Sequence, residues 1–316
     1  MDRLKDYMGR SFRVLRVSLL DACNFACTYC VCDDQPIPEG IEKATLSVDQ
    51  LTRLIGKLHQ TLNLQTVRLT GGEPLLYPEL PGLIAGIRSL GVRNIKMTTN
   101  GFLLARKAEA LKRAGLQSIN VSLDALDEGR FLRMTKRTGV ARVVDAILAA
   151  KSAGMAVKIN TVVMRGENDS ELLSLLDFAF SHGIDIRFLE LMGMGHLHGN
   201  TGGKFFSKHD MLAEITRRYR VCEQAKQPGE TATYYGTACG HRFGIIANET
   251  QPFCFDCNRL RLDINGNIYG CLSCNTPIPI AEITTKGGLE ASLAAALEQK
   301  QLKFSGSALS MLTIGG

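Results

Sequence analysis

Between residues 12 and 190 the chain switches repeatedly between short β-branched runs and helical stretches, and this alternation limits its fold more than any other feature. Residues 12–20 read as a buried strand, and Ser47 can cap a helix carrying Leu51, Leu54, Ile55 and Leu58 on one face. Further strands are expected at 66–70, 94–98, 117–123, 156–164 and 185–190, with helices at 81–90, 104–114, 140–153 and 170–182 between them. Strands joined through helices return parallel, with right-handed crossovers. The expected class is therefore α/β with a parallel sheet, whose functional residues collect at strand C-termini. Beyond residue 192 the sequence turns Gly- and His-rich, so a domain boundary is expected near residue 200, dividing 1–200 from 201–316.

The first strand is followed by Cys23, Cys27 and Cys30 in a C-x3-C-x2-C spacing, with Tyr29 directly before the third. Three thiolates in a short loop suit an iron–sulfur cube, and three ligands for four irons leave one iron open for chemistry. Cys32 stands too close to Cys30 to be a good fourth ligand. The alternative is a zinc knuckle or a buried cysteine cluster, although zinc takes four ligands, often with histidine, and no histidine lies near this loop. The second strand ends in T-G-G-E-P at 70–74. There Gly71 and Gly72 allow a ligand close to the backbone, and Glu73 can accept hydrogen bonds from an amino group.

A second set, Cys254, Cys257 and Cys271, has the spacing C-x2-C-x13-C. The intervening residues read as a hairpin, with a strand at 258–264, an Asn-Gly turn at 265–266 and a strand at 267–272, which returns Cys271 to the other two. Cys274 extends the pattern to that of a four-cysteine zinc ribbon, and spacing leaves ribbon and cluster both open. Arg259 and Arg261 share one face of the first hairpin strand and suit phosphate or purine edges; an exposed strand face is the plainer alternative. On the cluster reading, Cys274 is a small buried apolar residue.

With 316 residues, 45% of them apolar, the chain can bury a large core, and no apolar run reaches the ~18 residues of a membrane helix. The charged start lacks a signal-peptide core, so the ten cysteines are expected as metal or redox ligands in a reducing, cytoplasmic setting. A net charge of +6 suits a nucleotide triphosphate but decides nothing alone.

The cysteine triplet followed by T-G-G-E-P resembles the radical S-adenosylmethionine (SAM) superfamily. F-C-x2-C-N-R-L-R-L, the third cysteine after thirteen residues, and the ending Ile314-Gly315-Gly316 narrow the resemblance to the GTP 3′,8-cyclase family, from about Phe12 to the last residue. The resemblance implies an incomplete (β/α)6, TIM-like barrel with a C-terminal auxiliary-cluster domain. It implies two 4Fe-4S clusters, on Cys23, Cys27 and Cys30 and on Cys254, Cys257 and Cys271. The implied reaction is a lyase step opening molybdenum cofactor biosynthesis: a 5′-deoxyadenosyl radical takes the C3′ hydrogen of GTP, and C3′ attacks C8 to give 3′,8-cyclo-7,8-dihydro-GTP. Tyr29, Gly71, Gly72, Glu73, Ser122 and Met192 match SAM-binding positions. Arg16, Arg68, Thr98, Lys158, Arg259, Leu260 and Arg261 match GTP-binding ones. Arg259, Arg261, Gly315 and Gly316 carry over as catalytic, with the Gly-Gly tail reaching the active site.

An electron donor such as flavodoxin or ferredoxin and a downstream cyclic pyranopterin monophosphate synthase are implied as partners, a homodimer is allowed, and neither membrane nor nucleic acid is involved. Ala26 stands where the family has arginine, and the arginine usual before the terminal motif is absent. A radical SAM enzyme acting on a peptide or another purine nucleotide remains an alternative. So does a non-catalytic iron–sulfur or zinc-ribbon protein.

Overall fold

The computed structural model describes residues 4–32 and 46–315. Six strands, β1 (Val14–Ser18), β2 (Thr66–Thr70), β3 (Asn94–Thr99), β4 (Ser118–Ser122), β5 (Ala156–Val163) and β6 (Asp185–Glu190), lie parallel and in sequence order. Between them run helices α1 (Val48–Leu62), α2 (Leu80–Ser89), α3 (Ala108–Ala114), α4 (Glu128–Thr135), α5 (Val140–Ser152) and α6 (Leu172–Ser181). The start of α1 is a capping box in which Ser47 and Gln50 satisfy each other's backbone donors. Helix α4 is absent from the sequence reading, since its eight residues are too few for a helical period to stand out.

Alternation within each strand sorts its side chains. In β1, Leu15 and Val17 are buried in the core, whereas Arg16 lines an interior cavity. The same rule puts Val67 and Leu69 of β2 in the core and Arg68 in the cavity wall.

After β6 come α7 (Lys208–Thr216), strands β7 (Val221–Glu223), β8 (Thr233–Thr237), β9 (Arg242–Ile246), β10 (Arg259–Leu262), β11 (Asn267–Tyr269) and β12 (Ile278–Pro279), then α8 (Lys286–Glu298) and α9 (Met311–Ile314). These strands extend the first sheet at both ends, giving one sheet in the order β12-β11-β10-β1-β2-β3-β4-β5-β6-β9-β8-β7. β10 joins β1 in parallel and β9 joins β6 in parallel, so both edges of the six-strand unit are covered. The β10–β11 hairpin forms as the Asn-Gly turn predicts, with Arg261 opposite Tyr269 and Gly266 at φ 75°. Among the described residues no helix is long and apolar enough to cross a membrane.

Candidate active site

Two adjoining chambers lie along the parallel strands, one at their C-terminal ends and the other against residues farther back such as Val14, Arg16, Arg68 and Asn120. The first is lined by Cys23, Cys27, Cys30, Tyr29 and the 70–73 turn. Cysteine and Gly-Gly loops are held backbone to backbone: Gly72 N–H donates to the Leu20 carbonyl at 2.7 Å, and Glu73 N–H to that of Ala22 at 2.9 Å. A Cβ at Gly72 would overlap the Ala22 carbonyl. The glycine therefore admits the cysteine loop, a packing reason that the sequence, read for ligand approach, did not show. Glu73 is 1% exposed, and its carboxylate already accepts from Thr99 Oγ1 (2.6 Å), Asn100 N–H (2.7 Å) and Leu75 N–H (2.9 Å). It ties the cysteine side of the chamber to the end of β3.

Charge in this chamber is negative. Burial pushes the Glu73 carboxyl up to about 7 and that of Asp124 up to about 6. Tyr29 donates its hydroxyl to Asp124 Oδ2 at 2.7 Å. Burial, then the Glu73 charge, drives the Cys23 thiol up to about 12, and Cys27 and Cys30 are likewise raised by burial and then by neighbouring cysteines and Asp124. Three buried sulfurs that repel one another as thiolates fit a cationic iron–sulfur core, which reverses that penalty.

The second chamber has the opposite sign. Strand register sets four cations in one row across adjacent strands: Arg261 of β10 beside Arg16 of β1, Arg16 beside Arg68 of β2, and Arg68 beside Lys96 of β3. All four line the chamber with Arg259 and Arg187. Burial first, then its neighbours Arg261 and Arg68, holds the Arg16 guanidinium well below its ordinary value. Arg68 and Arg261 are each brought down to about 10, by burial and then by neighbouring guanidinium groups. Cys254, Cys257 and Cys271 stand at one side of this wall. Although burial raises the Cys257 thiol, Lys300 and Arg259 more than reverse it, and the thiol is lowered overall. Cys254 beside it is instead pushed up to about 11, chiefly by burial.

The two chambers share Thr98, Asn160, Leu189, Met192 and Met311 as walls. The C-terminal tail lies beside this junction. Arg261 donates to the Ile314 carbonyl at 3.0 Å and to the Gly315 carbonyl, while Ser310 Oγ donates to the Cys30 carbonyl at 3.4 Å. Gly315, at φ 73°, lies against Thr70 and Ser18, where a Cβ would overlap the Thr70 methyl.

Two family models match the chain: the Radical SAM superfamily over residues 17–179 and Molybdenum Cofactor Synthesis C over residues 184–305. The GTP 3′,8-cyclase of Synechocystis sp. is 37% identical over 89% of this chain and 85% of its own length. That of Staphylococcus aureus strain JH9 is 37% identical over 86% of this chain and 82% of its own. This chain belongs to the GTP 3′,8-cyclase family. Among solved structures, Streptococcus suis SuiB bound to precursor peptide SuiA superposes with a TM-score of 0.66, covering 92% of this chain and 71% of that one. At 13% identity that likeness speaks for the fold alone.

Against this family background the sequence-derived positions fall into groups. Gly71, Ser122 and Met192 line the first chamber, and Thr98 stands in both walls, accepting from Arg68 at 3.3 Å. Lys158 is outside both walls, with its ammonium 2.9 Å from Asp185 and 3.2 Å from the Tyr234 hydroxyl. The Leu260 side chain is 1% exposed in the core, because alternation turns it away from the face of Arg259 and Arg261. Cys274 is half-exposed, with its thiol near the Thr276 carbonyl, so it is not the buried apolar residue expected. The chain turns after Cys271 and carries Cys274 out of the chamber wall. Gly316 lies outside the described residues. Lys96, Arg187, Asn160 and Lys300 were missed; alternation within β3, β5 and β6 could have flagged the first three.

Proposed function

We propose that this chain is a GTP 3′,8-cyclase, in which residues 1–200 hold SAM with one 4Fe-4S cluster, residues 201–316 hold a second cluster, and both contribute to the GTP site. The observation that carries the reading is the row Arg261–Arg16–Arg68–Lys96 between two cysteine sets. Buried guanidinium groups crowded together favour a multiply charged anion, and a triphosphate is one. A structural zinc site would gain nothing from such a row.

The first cluster and SAM together supply a carbon radical when bound. The chain's own part is to aim and shield it. Cys23, Cys27 and Cys30 hold the cluster while Gly71, Gly72, Ser122 and Met192 shape the SAM chamber. Glu73 and Asp124 set a negative field that favours the sulfonium and ammonium groups of SAM. Arg16, Arg68, Thr98 and Arg259 would bind and orient GTP, and Cys254, Cys257 and Cys271 would hold the second cluster in the same chamber. Arg261 fixes the tail through the Ile314 and Gly315 carbonyls beside the junction of the two chambers. Lys158 acts from behind, through Tyr234, which lines the second chamber. Electrons come from a flavodoxin- or ferredoxin-type donor, and the product passes to a cyclic pyranopterin monophosphate synthase. A reducing cytoplasm suits the ten free thiols.

Anaerobic incubation of the reconstituted chain with SAM, dithionite and GTP tests this reading. A product isomeric with GTP should accumulate with 5′-deoxyadenosine. Deoxyadenosine without any GTP-derived product overturns it.

A further inference from the structure

Lys300 follows α8 and is 6% exposed, yet among the described residues it has no carboxylate partner. Its ammonium donates to Cys257 Sγ at 3.6 Å and to the Arg259 carbonyl, and stands 4.6 Å from the centre of the Phe12 ring. An apolar side chain would fill this place without burying a charge. Among the described residues Cys257 is the one thiol of the C-terminal three whose sulfur accepts a side-chain hydrogen bond. Arg10 reinforces the same side of the site, donating to the carbonyls of Cys254 and Phe255. It is anchored by Asp6, a buried carboxylate 2.5 Å away.

We infer that Lys300 tunes the second cluster: its charged hydrogen bond to the Cys257 sulfur favours the reduced, more negative state of that cluster over the oxidised one. Hydrogen bonds to ligand sulfurs and nearby charge are among the factors that set cluster potentials. Lys300 is a positioning residue in this account, acting through Cys257. The inference rests on the two-cluster reading above.

Full-length Lys300→Met and Lys300→Arg chains are reconstituted anaerobically beside Lys303→Met, an exposed control. Each is also made in a Cys27→Ala background, which leaves iron to the C-terminal set. Iron content, the electron paramagnetic resonance signal and the midpoint potential under dithionite titration are read. At fixed poise the reduced-to-oxidised ratio should fall about tenfold in Lys300→Met, equivalent to ~59 mV for one electron. Lys300→Arg should recover most of that shift, and Lys303→Met should show none. A fully loaded Lys300→Met chain with unshifted potential and signal overturns the inference and leaves Lys300 as filling or a nucleotide contact. If Lys300→Met takes up no iron, Lys300→Gln replaces it, and a wild-type potential there overturns the role of charge. No iron in the Cys27→Ala chain with Lys300 intact overturns the two-cluster reading, and this inference with it.

Discussion

The two chambers are each walled by three cysteines, but the charges around those cysteines differ. In the first, burial and the carboxylates Glu73 and Asp124 raise the thiols, Cys23 to about 12. In the second, burial raises Cys254 to about 11, whereas at Cys257 the charges of Lys300 and Arg259 help to reverse the effect of burial and lower the thiol. The first suits cationic contents, such as iron together with a sulfonium. The second is short of anions. Ligand spacing alone does not distinguish two such sites; the charges around the ligands do.

If that contrast is right, the two ends should fail in different ways. The largest effect is expected from Cys27→Ala, which should bring 5′-deoxyadenosine formation down to the no-enzyme level while the C-terminal set keeps its iron; chromatography and iron analysis would show both. Loss of all iron would mean that the chambers are not independent sites.

Arg16→Ala removes the centre of the cationic row. GTP binding should weaken by ~1–3 kcal/mol, or roughly 5- to 150-fold in Kd, with iron content unchanged. Titration calorimetry under anaerobic conditions measures it. An unchanged Kd would break the assignment of the second chamber to a polyanion.

Gly315→Ala tests the junction. Overlap with Thr70 and a left-handed backbone cost about 1–2 kcal/mol, so a drop in cyclised product of about 5- to 30-fold is expected, with both sets of iron retained. A wild-type rate would show that the tail has no part in joining the chambers.

The smallest effect belongs to Asp185, which holds Lys158 beneath the second chamber. Burial raises its carboxyl, but hydrogen bonds from Arg242 and Lys158 more than offset this and leave it lowered. A lowered carboxyl contributes stability above its unfolded value of about 4, and that contribution is lost as pH falls through the folded value. Wild type should therefore exceed Asp185→Asn by about 0.5 kcal/mol near neutrality and lose the margin below about pH 4. Thermal unfolding across that range measures it. A margin that persists in acid would separate Lys158 from this ion pair.

The sequence by itself determined the six strand–helix units, both cysteine sets and the hairpin between the second pair and Cys271. All of these are local: period and turn chemistry are written within a few tens of residues. It also placed Arg16, Arg68 and Arg261 as single candidates. Only tertiary structure decided that they form one row with Lys96, because strand register is a property of pairing between distant segments. The same holds for Gly72, whose reason is the Ala22 carbonyl, and for Leu260, lost to the core by the alternation that presents its neighbours. Lys300 was the least legible of all. It follows a helix with no motif around it, and its meaning lies in Cys257, forty-three positions away along the chain.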